Sequence, residues 1–407
     1  MSPPSAPLPA APAAVDALAW RPEDVERLLK SLIADELSAL RGRPFGPAEW
    51  SGWTSSLRID EEGLGVDSLD RLSLVGRVNA FFHLHEVGGE DYLVVRRTLG
   101  EWVEVVCASL ALSGARLTFR TSGSTGAPKE VTHSAADLRA EVEALGALLG
   151  RTQRVLALAP PHHIYGFLFT VALPGLYGLP VLDLRLGSPS RARALAEAGD
   201  LVVATPFLWE QMLRLGGPPR GEVTGASASA PMPAELWRRL EAGGLARLVE
   251  VYGSTETGGV GWRDGPDQFF QLLPGWSLDV DGVLRRGEAR FEPPDFLEPG
   301  EVGRFRPAGR RDAAVQVGGV NVFPERVRAV LLEQPGVADC AVRLDGAGAS
   351  ARLKALVVLS PGQAEQGAVE RLEGFARERL SPPERPARYR LASALPRSEI
   401  GKAVDWD

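Results

Sequence analysis

Residues 117–134 read Leu-Thr-Phe-Arg-Thr-Ser-Gly-Ser-Thr-Gly-Ala-Pro-Lys-Glu-Val-Thr-His-Ser, and this stretch decides the fold. A strand is expected to run into Thr121, with the polar segment Thr121, Ser122, Gly123, Ser124, Thr125, Gly126, Ala127, Pro128, Lys129 following it. Glycines at 123 and 126 let backbone N–H groups curl around an anion, the hydroxyls add donors, and Lys129 supplies a countercharge. No Gly-Lys-Ser/Thr follows at the required spacing, so this is not a Walker A loop. The plain alternative is a flexible Ser/Gly turn.

Downstream of Arg116, short β-rich runs alternate with helical stretches. The runs at 116–122, 154–160, 200–206 and 247–253 and the helices at 135–149 and 234–240 predict an α/β core with largely parallel strands. From about residue 310 the pattern changes to a compact α+β cap that runs to the C-terminus. Upstream, Val25, Leu28, Leu29, Leu37 and Leu40 recur at helical spacing, as do Leu69, Leu72, Val75, Val78 and Phe82. A third helix is expected from about Thr98, making a small bundle. The expected organisation is an Ala/Pro-rich disordered arm (1–20), a helical domain (21–112), an α/β core (115–309) and a cap (310–407).

Composition narrows the function classes. Residues 21–110 hold 16 acidic and 10 basic side chains, whereas the rest of the chain is nearly balanced, so no basic patch suggests nucleic acid. Two cysteines, Cys107 and Cys340, cannot make a disulfide framework, and no His/Cys cluster suggests structural zinc. With no basic n-region ahead of an apolar core at the N-terminus, a cytoplasmic protein is expected. Residues 165–182 carry no charge, but Pro174, Pro180 and interior glycines interrupt them. They read as a buried helix followed by a core strand rather than a membrane span.

The string 117–134 closely resembles the phosphate loop of the adenylate-forming superfamily, which includes acyl-CoA synthetases and peptide-synthetase adenylation domains. Further motifs of that family follow in order. Pro161-His162-His163-Ile164-Tyr165-Gly166-Phe167 resembles the substrate-side segment, which implies that His163 lies near the acyl carboxylate. Ala228-Ser229-Ala230-Pro231 resembles the stretch packed on adenine. Val251-Tyr252-Gly253-Ser254-Thr255-Glu256-Thr257 matches YGxTE, which implies Tyr252 beside the adenine, Thr255 at the phosphate and Glu256 holding Mg²⁺. Gly309-Arg310-Arg311-Asp312 resembles GRxD, with Arg310 near the ribose and Asp312 at a hinge. Residues 318–324 resemble the loop that enters the thiol tunnel. Pro396 to Lys402 matches PxxxxGK, whose lysine contacts the carboxylate and α-phosphate.

The resemblance spans about residues 115–407. It implies a shortened adenylation core with a mobile C-terminal cap, ATP and Mg²⁺ as cofactors, and a carboxylic acid as substrate. A carboxylate must meet a polyanion, so Glu256-bound Mg²⁺, Lys129 and Lys402 would neutralise the developing charge. The acid then passes from AMP to a thiol. Departures accompany the matches: the interval from Tyr252 to Gly309 is short, the ribose-binding TGD is absent with Asp295 near its place, and Gln316 stands where many relatives have lysine. No carboxylate stands in the substrate segment to pair an α-ammonium, so a plain acid, aryl rather than long-chain, is expected.

The helical segment carries a second resemblance. Gly65-Val66-Asp67-Ser68-Leu69-Asp70 is similar to the GxDSL of acyl carrier proteins, and Thr98-Leu99-Gly100-Glu101 to the TxGD before their last helix. This implies a 4′-phosphopantetheine on Ser68, added by a phosphopantetheinyl transferase. The other reading is that Asp67-Ser68 is only a helix N-cap. The leading expectation is therefore an acid–carrier-protein ligase with a carrier-like bundle. An acid–CoA ligase with a structural bundle and a non-catalytic nucleotide-binding scaffold are its alternatives.

Overall fold

The computed structural model describes residues 18–43, 45, 47–121, 129–279, 281–311, 314–346 and 351–395. The chain opens with three long helices: α1 (Pro22–Leu40), α2 (Ser68–Phe82) and α3 (Leu99–Leu112). Each has a local cause. Pro22 pre-sets the first turn of α1. The Asp67 carboxylate accepts from the N–H groups of Leu69 and Asp70, both at 2.8 Å, and caps α2. Thr98 and Glu101 form a reciprocal capping box on α3. A short helix, Gly89–Val95, lies between α2 and α3.

Strands β1 (Arg116–Thr121) and β2 (Lys129–Ser134) pair as a two-stranded unit, and α4 (Ala135–Leu149) follows. The central sheet then takes β3 (Arg154–Ala157), β4 (Val181–Asp183), β5 (Asp200–Ala204), β6 (Gly221–Ser227), β7 (Leu245–Ser254), β8 (Gly258–Arg263) and β9 (Phe270–Leu272). A three-stranded antiparallel patch, β10 (Trp276–Leu278), β11 (Leu284–Arg286) and β12 (Ala289–Phe291), is followed by β13 (Asp295–Pro299) and β14 (Arg304–Arg310). The nine-stranded order is β13-β14-β9-β8-β7-β6-β5-β3-β4. Strands β4, β3, β5, β6 and β7 run parallel, and β8, β9 and β14 alternate antiparallel beyond them. All five residues of β5 are buried, as a strand covered on both faces requires. Helices α5 (Pro206–Arg214) and α6 (Ala234–Ala242) pack on one face through Trp209, Trp237 and Leu240.

The other face corrects the expected boundary near 112–115. Leu28, Phe81 and Trp102 of the three helices belong to the same buried cluster as Phe119, Phe167, Val203 and Val249. Residues up to 121 and 130–293 form one compact unit, so the helical segment is not a separate bundle. The rings of Phe81, Phe119 and Phe167 meet edge to face, with centroids 5.1 Å (81–119), 5.4 Å (119–167) and 6.4 Å (81–167) apart. Asp24, fully buried, is held by Arg21 and Arg27. Those arginines reach on to the carbonyls of Leu179 and Thr170 and fasten α1 to the helical run 164–177. That run matches the buried helix expected of 165–182, whereas the strand that follows, β4, is a half-buried edge strand and not a core one. No helix among the described residues is long and apolar enough to cross a membrane.

The second unit, from residue 307 onward with 122–129 and 294–296, has its own core. Hairpin β15 (Val315–Val317) and β16 (Val320–Val322) leads to α7 (Pro324–Leu332). Strands β17 (Val337–Asp345), β18 (Arg352–Leu359) and β19 (Arg388–Ala392) form a mixed sheet with α8 (Ala368–Arg379). This is the expected α+β cap. Cys340 is buried in it, and burial pushes its thiol up to about 12.

The shared core predicts one melting event for the helices and the sheet. Phe81→Ala should cost about 3–5 kcal/mol. Hydrogen exchange should then show α2 and β3 losing protection together. Separate loss of α2 alone would restore the independent-bundle description.

Candidate active site

The site motifs sit where an open parallel sheet presents its strand ends. Ala157 ends β3 and leads to His162 and His163. Ser227 ends β6 and leads to Ala228, Ser229, Ala230 and Pro231. Tyr252, Gly253 and Ser254 end β7 and lead to Thr255 and Glu256. These strands run parallel and in register, with β5 between β3 and β6: Ala157 lies opposite Val203, Val203 opposite Ala226, and Ala226 opposite Val249. The three loops therefore leave one carboxyl edge, the crevice side of an α/β sheet.

Buried groups fix each loop. Tyr165 donates its hydroxyl to the carbonyls of Ala226 (2.9 Å) and Ala204 (3.2 Å), tying the ends of β5 and β6 to the helix that follows His163. A side chain at Gly166 would strike the Pro160 carbonyl at 1.9 Å, so that helix packs on its own approach loop. Glu250, buried on β7, accepts from the Met232 N–H at 2.8 Å and from Arg263 at 2.6 Å, which closes the loop after Pro231. Within that loop Ser229 adopts a left-handed φ of 74°, uncommon for a residue with a side chain. The preceding Ser227 hydroxyl is fully buried and has no hydrogen-bond partner.

The Thr255–Glu256 loop is clamped more heavily. The Ser254 N–H donates to Thr257 Oγ1 (3.1 Å) and the Thr257 N–H to Ser254 Oγ (3.3 Å), closing the turn between them. His133 of β2 bonds the Thr255 carbonyl at 2.6 Å through Nε2. Just past the loop, Gly259 is gripped from two sides: its N–H donates to Glu141 Oε1 at 2.6 Å and its carbonyl accepts from Trp276 Nε1 at 2.9 Å. Burial pushes the Glu141 carboxyl up to about 8, against the Gly259 hydrogen bond and the pull of Arg286, with Asp137 adding to the rise. Burial also lowers the His133 pKa, so near neutrality both groups are uncharged.

His162 is buried. Its Nδ1 meets Ser31 Oγ of α1 at 2.7 Å and its Nε2 lies 3.6 Å from Asp35. Asp35 favours the imidazole proton on Nε2, which leaves Nδ1 to accept from the Ser31 hydroxyl, whose oxygen in turn accepts from Arg185 at 2.9 Å. His163 packs on it with rings 4.2 Å apart and keeps a solvent-exposed side. Desolvation holds both histidines below the usual range. A cavity of about 300 Å³ opens here, lined by Ser31, Asp35, Trp50, His162, Arg185 and Leu208.

Ser122, Gly123, Ser124, Thr125, Gly126, Asp312 and Lys402 lie outside the described residues, as do the side chains of Thr121 and Arg310. Lys129 is exposed at the start of β2, and Asp295 begins β13, where its carbonyl accepts from Arg311. Gln316 donates to Asn321 across the β15–β16 hairpin. Ser68 is exposed at the head of α2, as a carrier serine would be, but the Asp67 cap accounts for the pair without a modification. Ser31, His133, Glu141, Glu250 and Trp276 escaped the sequence reading: the partners of the first three lie more than a hundred positions away, and those of Glu250 and Trp276 lie on neighbouring strands or loops that no local pattern pairs with them.

The chain was compared with known proteins. A model of the AMP-binding enzyme family matches residues 117–281, and one of the AMP-binding enzyme C-terminal domain matches 327–402. A 4-coumarate–CoA ligase of Cereibacter sphaeroides is 46% identical over 400 residues, covering 94% of this chain and 96% of that protein. A 4-coumarate–CoA ligase of Rhodobacter capsulatus is 44% identical, covering 94% and 100%. In fold, the chain resembles an amide bond synthetase from Marinactinospora thermotolerans, with a TM-score of 0.61 over 95% of each chain at 16% identity.

Glu141 gives a pH test. Its carboxyl stays protonated in the folded chain up to about pH 8 but ionises in the unfolded chain near its ordinary value of 4.5. Its contribution is full below that value and declines as pH rises toward 8. Glu141→Gln keeps an acceptor for Gly259 and cannot ionise. Its melting temperature should fall less than the wild type's between about pH 5 and 8; parallel pH slopes would remove Glu141 from this account.

Proposed function

The chain belongs to the AMP-binding enzyme family, and on that premise we propose that it is an ATP-dependent acid–CoA ligase for a hydroxycinnamic acid. The single observation that carries the reading is the convergence of the His162–His163, Ala228–Pro231 and Thr255–Glu256 loops on one carboxyl edge. The relatives named as 4-coumarate–CoA ligases support the substrate class. They also favour CoA over a carrier protein as the thiol acceptor. Their likeness runs through the N-terminal helices as well, so that segment is common to these ligases and not an appended carrier.

The residues fit a nucleotide and its metal. Adenine would pack on Ala228–Pro231 and the half-buried Tyr252, next to the orphaned buried hydroxyl of Ser227. Glu256, with Thr255, would hold Mg²⁺, which would supply charge neutralisation at the phosphates. Residues 121–126 and Lys129 would cradle those phosphates, Asp295 and Arg310 would meet the ribose, and His163 would lie beside the acid's carboxylate. In the first half-reaction the carboxylate oxygen attacks the α-phosphorus and pyrophosphate leaves, and Lys402 is the residue proposed to neutralise the charge that develops. In the second, the CoA thiolate attacks the acyl carbon and AMP leaves. The Thr255–Glu256 clamp means that little reorganisation is needed as charge develops.

Pyrophosphate exchange with ATP tests the first half-reaction across 4-coumarate, caffeate, benzoates and medium-chain fatty acids, and chromatography of the CoA thioester tests the second. Exchange should be strongest with hydroxycinnamates; exchange with none of these acids would reject the reading. Lys402→Ala should slow exchange by about 10²-fold or more while sparing thioester formation from pre-made acyl-AMP. Glu256→Gln should raise the Mg²⁺ requirement without lowering the melting temperature. Ser68→Ala should leave both half-reactions unchanged, whereas loss of the second alone would return the acceptor role to the chain itself.

A further inference from the structure

Two of the chain's five histidines stand two residues apart, with a glutamate next, at the C-terminal end of α2: His83-Leu84-His85-Glu86. One donor atom from each of His83, His85 and Glu86 lies within 4.8 Å of the other two. The backbone makes this meeting possible. His83 takes a left-handed φ of 54°, which turns the chain back and sets the two imidazole rings 5.7 Å apart.

The hydrogen bonds around the cluster engage one ring nitrogen of each histidine and leave the other for a ligand bond. Asn79 Oδ1 accepts the His85 backbone N–H at 2.8 Å, which fixes that atom as oxygen, and it faces His85 Nδ1 at 3.2 Å. Nδ1 must then carry the ring proton, and Nε2 is left as the acceptor. His83 Nε2 meets Thr118 Oγ1 at 2.8 Å, and the Thr118 hydroxyl has Thr132 Oγ1 at 2.7 Å to receive its own proton. In the tautomer that donates through Nε2 to Thr118, the one a metal ion would select, His83 keeps its lone pair on Nδ1, 3.5 Å from Glu86 Oε1. Desolvation lowers the His83 pKa, so the ring is neutral near pH 7. Glu86 is oriented by Arg116 (2.9 Å from Nε and 2.5 Å from Nη2) and by Ser113 (3.3 Å). Those contacts leave part of the carboxylate's capacity of about four lone pairs unused. Oxygen acceptors behind metal-binding imidazoles are the usual means of fixing their tautomers.

We propose that His83, His85 and Glu86 form a binding site for one divalent transition-metal ion of the zinc type. Two imidazoles and one carboxylate suit such a borderline ion, with the fourth position left to water. Mg²⁺, which selects all-oxygen sites, would not compete, so this ion is distinct from the one at Glu256. Through Thr118 and Arg116 the bound ion would brace the end of α2 against β1.

The test uses the untagged full chain, stripped with chelator and titrated with Zn²⁺ against a chromophoric competitor. One equivalent should bind in the presence of excess Mg²⁺, and the melting temperature should rise. His85→Ala, at an exposed position, should abolish both effects without unfolding the protein, and Asn79→Ala should weaken binding about 10–100-fold. Absence of a bound equivalent, or binding that survives in the His83→Ala/His85→Ala double variant, would overturn the site. These readouts do not depend on ligase activity, so they stand or fall separately from the function proposed above.

Discussion

The contact on which the rest of the unit depends is the meeting of Phe81, Phe119 and Phe167. One ring comes from α2, one from β1 and one from the helical run that begins just after His163. Burying each phenyl contributes about 1.5–3 kcal/mol, and edge-to-face geometry adds about 0.5–1.5 kcal/mol per pair. The direction of that stabilisation matters as much as its size. β1 leads directly into residues 122–128, and Phe119 also lies 6.0 Å from His133, the residue that bonds Thr255. Packing in the core thus reaches His133 and, through it, the Thr255–Glu256 loop at the carboxyl edge.

The polar supports of that edge share an electrostatic property. Glu141 is pushed toward its acid form, and His133, His162 and His163 toward their neutral forms, each chiefly by desolvation. Glu141 and His133 hold backbone groups and His162 holds Ser31 by hydrogen bonds, while adding little fixed charge. In the proposed chemistry the field felt by a polyanion is then left to Glu256 with its metal, Lys129 and Lys402. Neutral supports also avoid the cost of burying unpaired ions beside the reacting groups.

Much of the fold was legible because its signals are local. Alternation around 117–134, the parallel-strand runs and the α+β cap each rest on side chains within one element or one turn. The motif order placed His163, Ala228–Pro231 and Thr255–Glu256, and sheet topology then placed them together. The supports were illegible for the opposite reason. Glu141 reads as one more carboxylate on an amphipathic helix, and only its partner Gly259, 118 residues away, reveals its work. The boundary near 112 was misread because three amphipathic helices look self-sufficient in sequence. Periodicity shows that a helix has an apolar face but not what covers it.

That misreading bears on the acceptor thiol. A carrier must detach from its partner and travel, so it needs a core of its own and a surface that tolerates water on all sides. Leu28, Val78, Phe81 and Trp102 have no exposed surface, and they belong to the cluster that includes the sheet. Arg21 and Arg27 add hydrogen bonds to the carbonyls of Leu179 and Thr170, and Ser31 supplies the partner of His162. Releasing the helices would expose those side chains, strand Asp24 and undo the histidine's anchor. The likeness to carrier proteins at Gly65–Asp70 therefore reduces to a local rule: an aspartate before a helix caps it, and the next residue, Ser68, faces solvent. The same helices that resemble a mobile carrier are a fixed wall of the catalytic unit, and a free thiol donor such as CoA suits a wall better than a tethered arm.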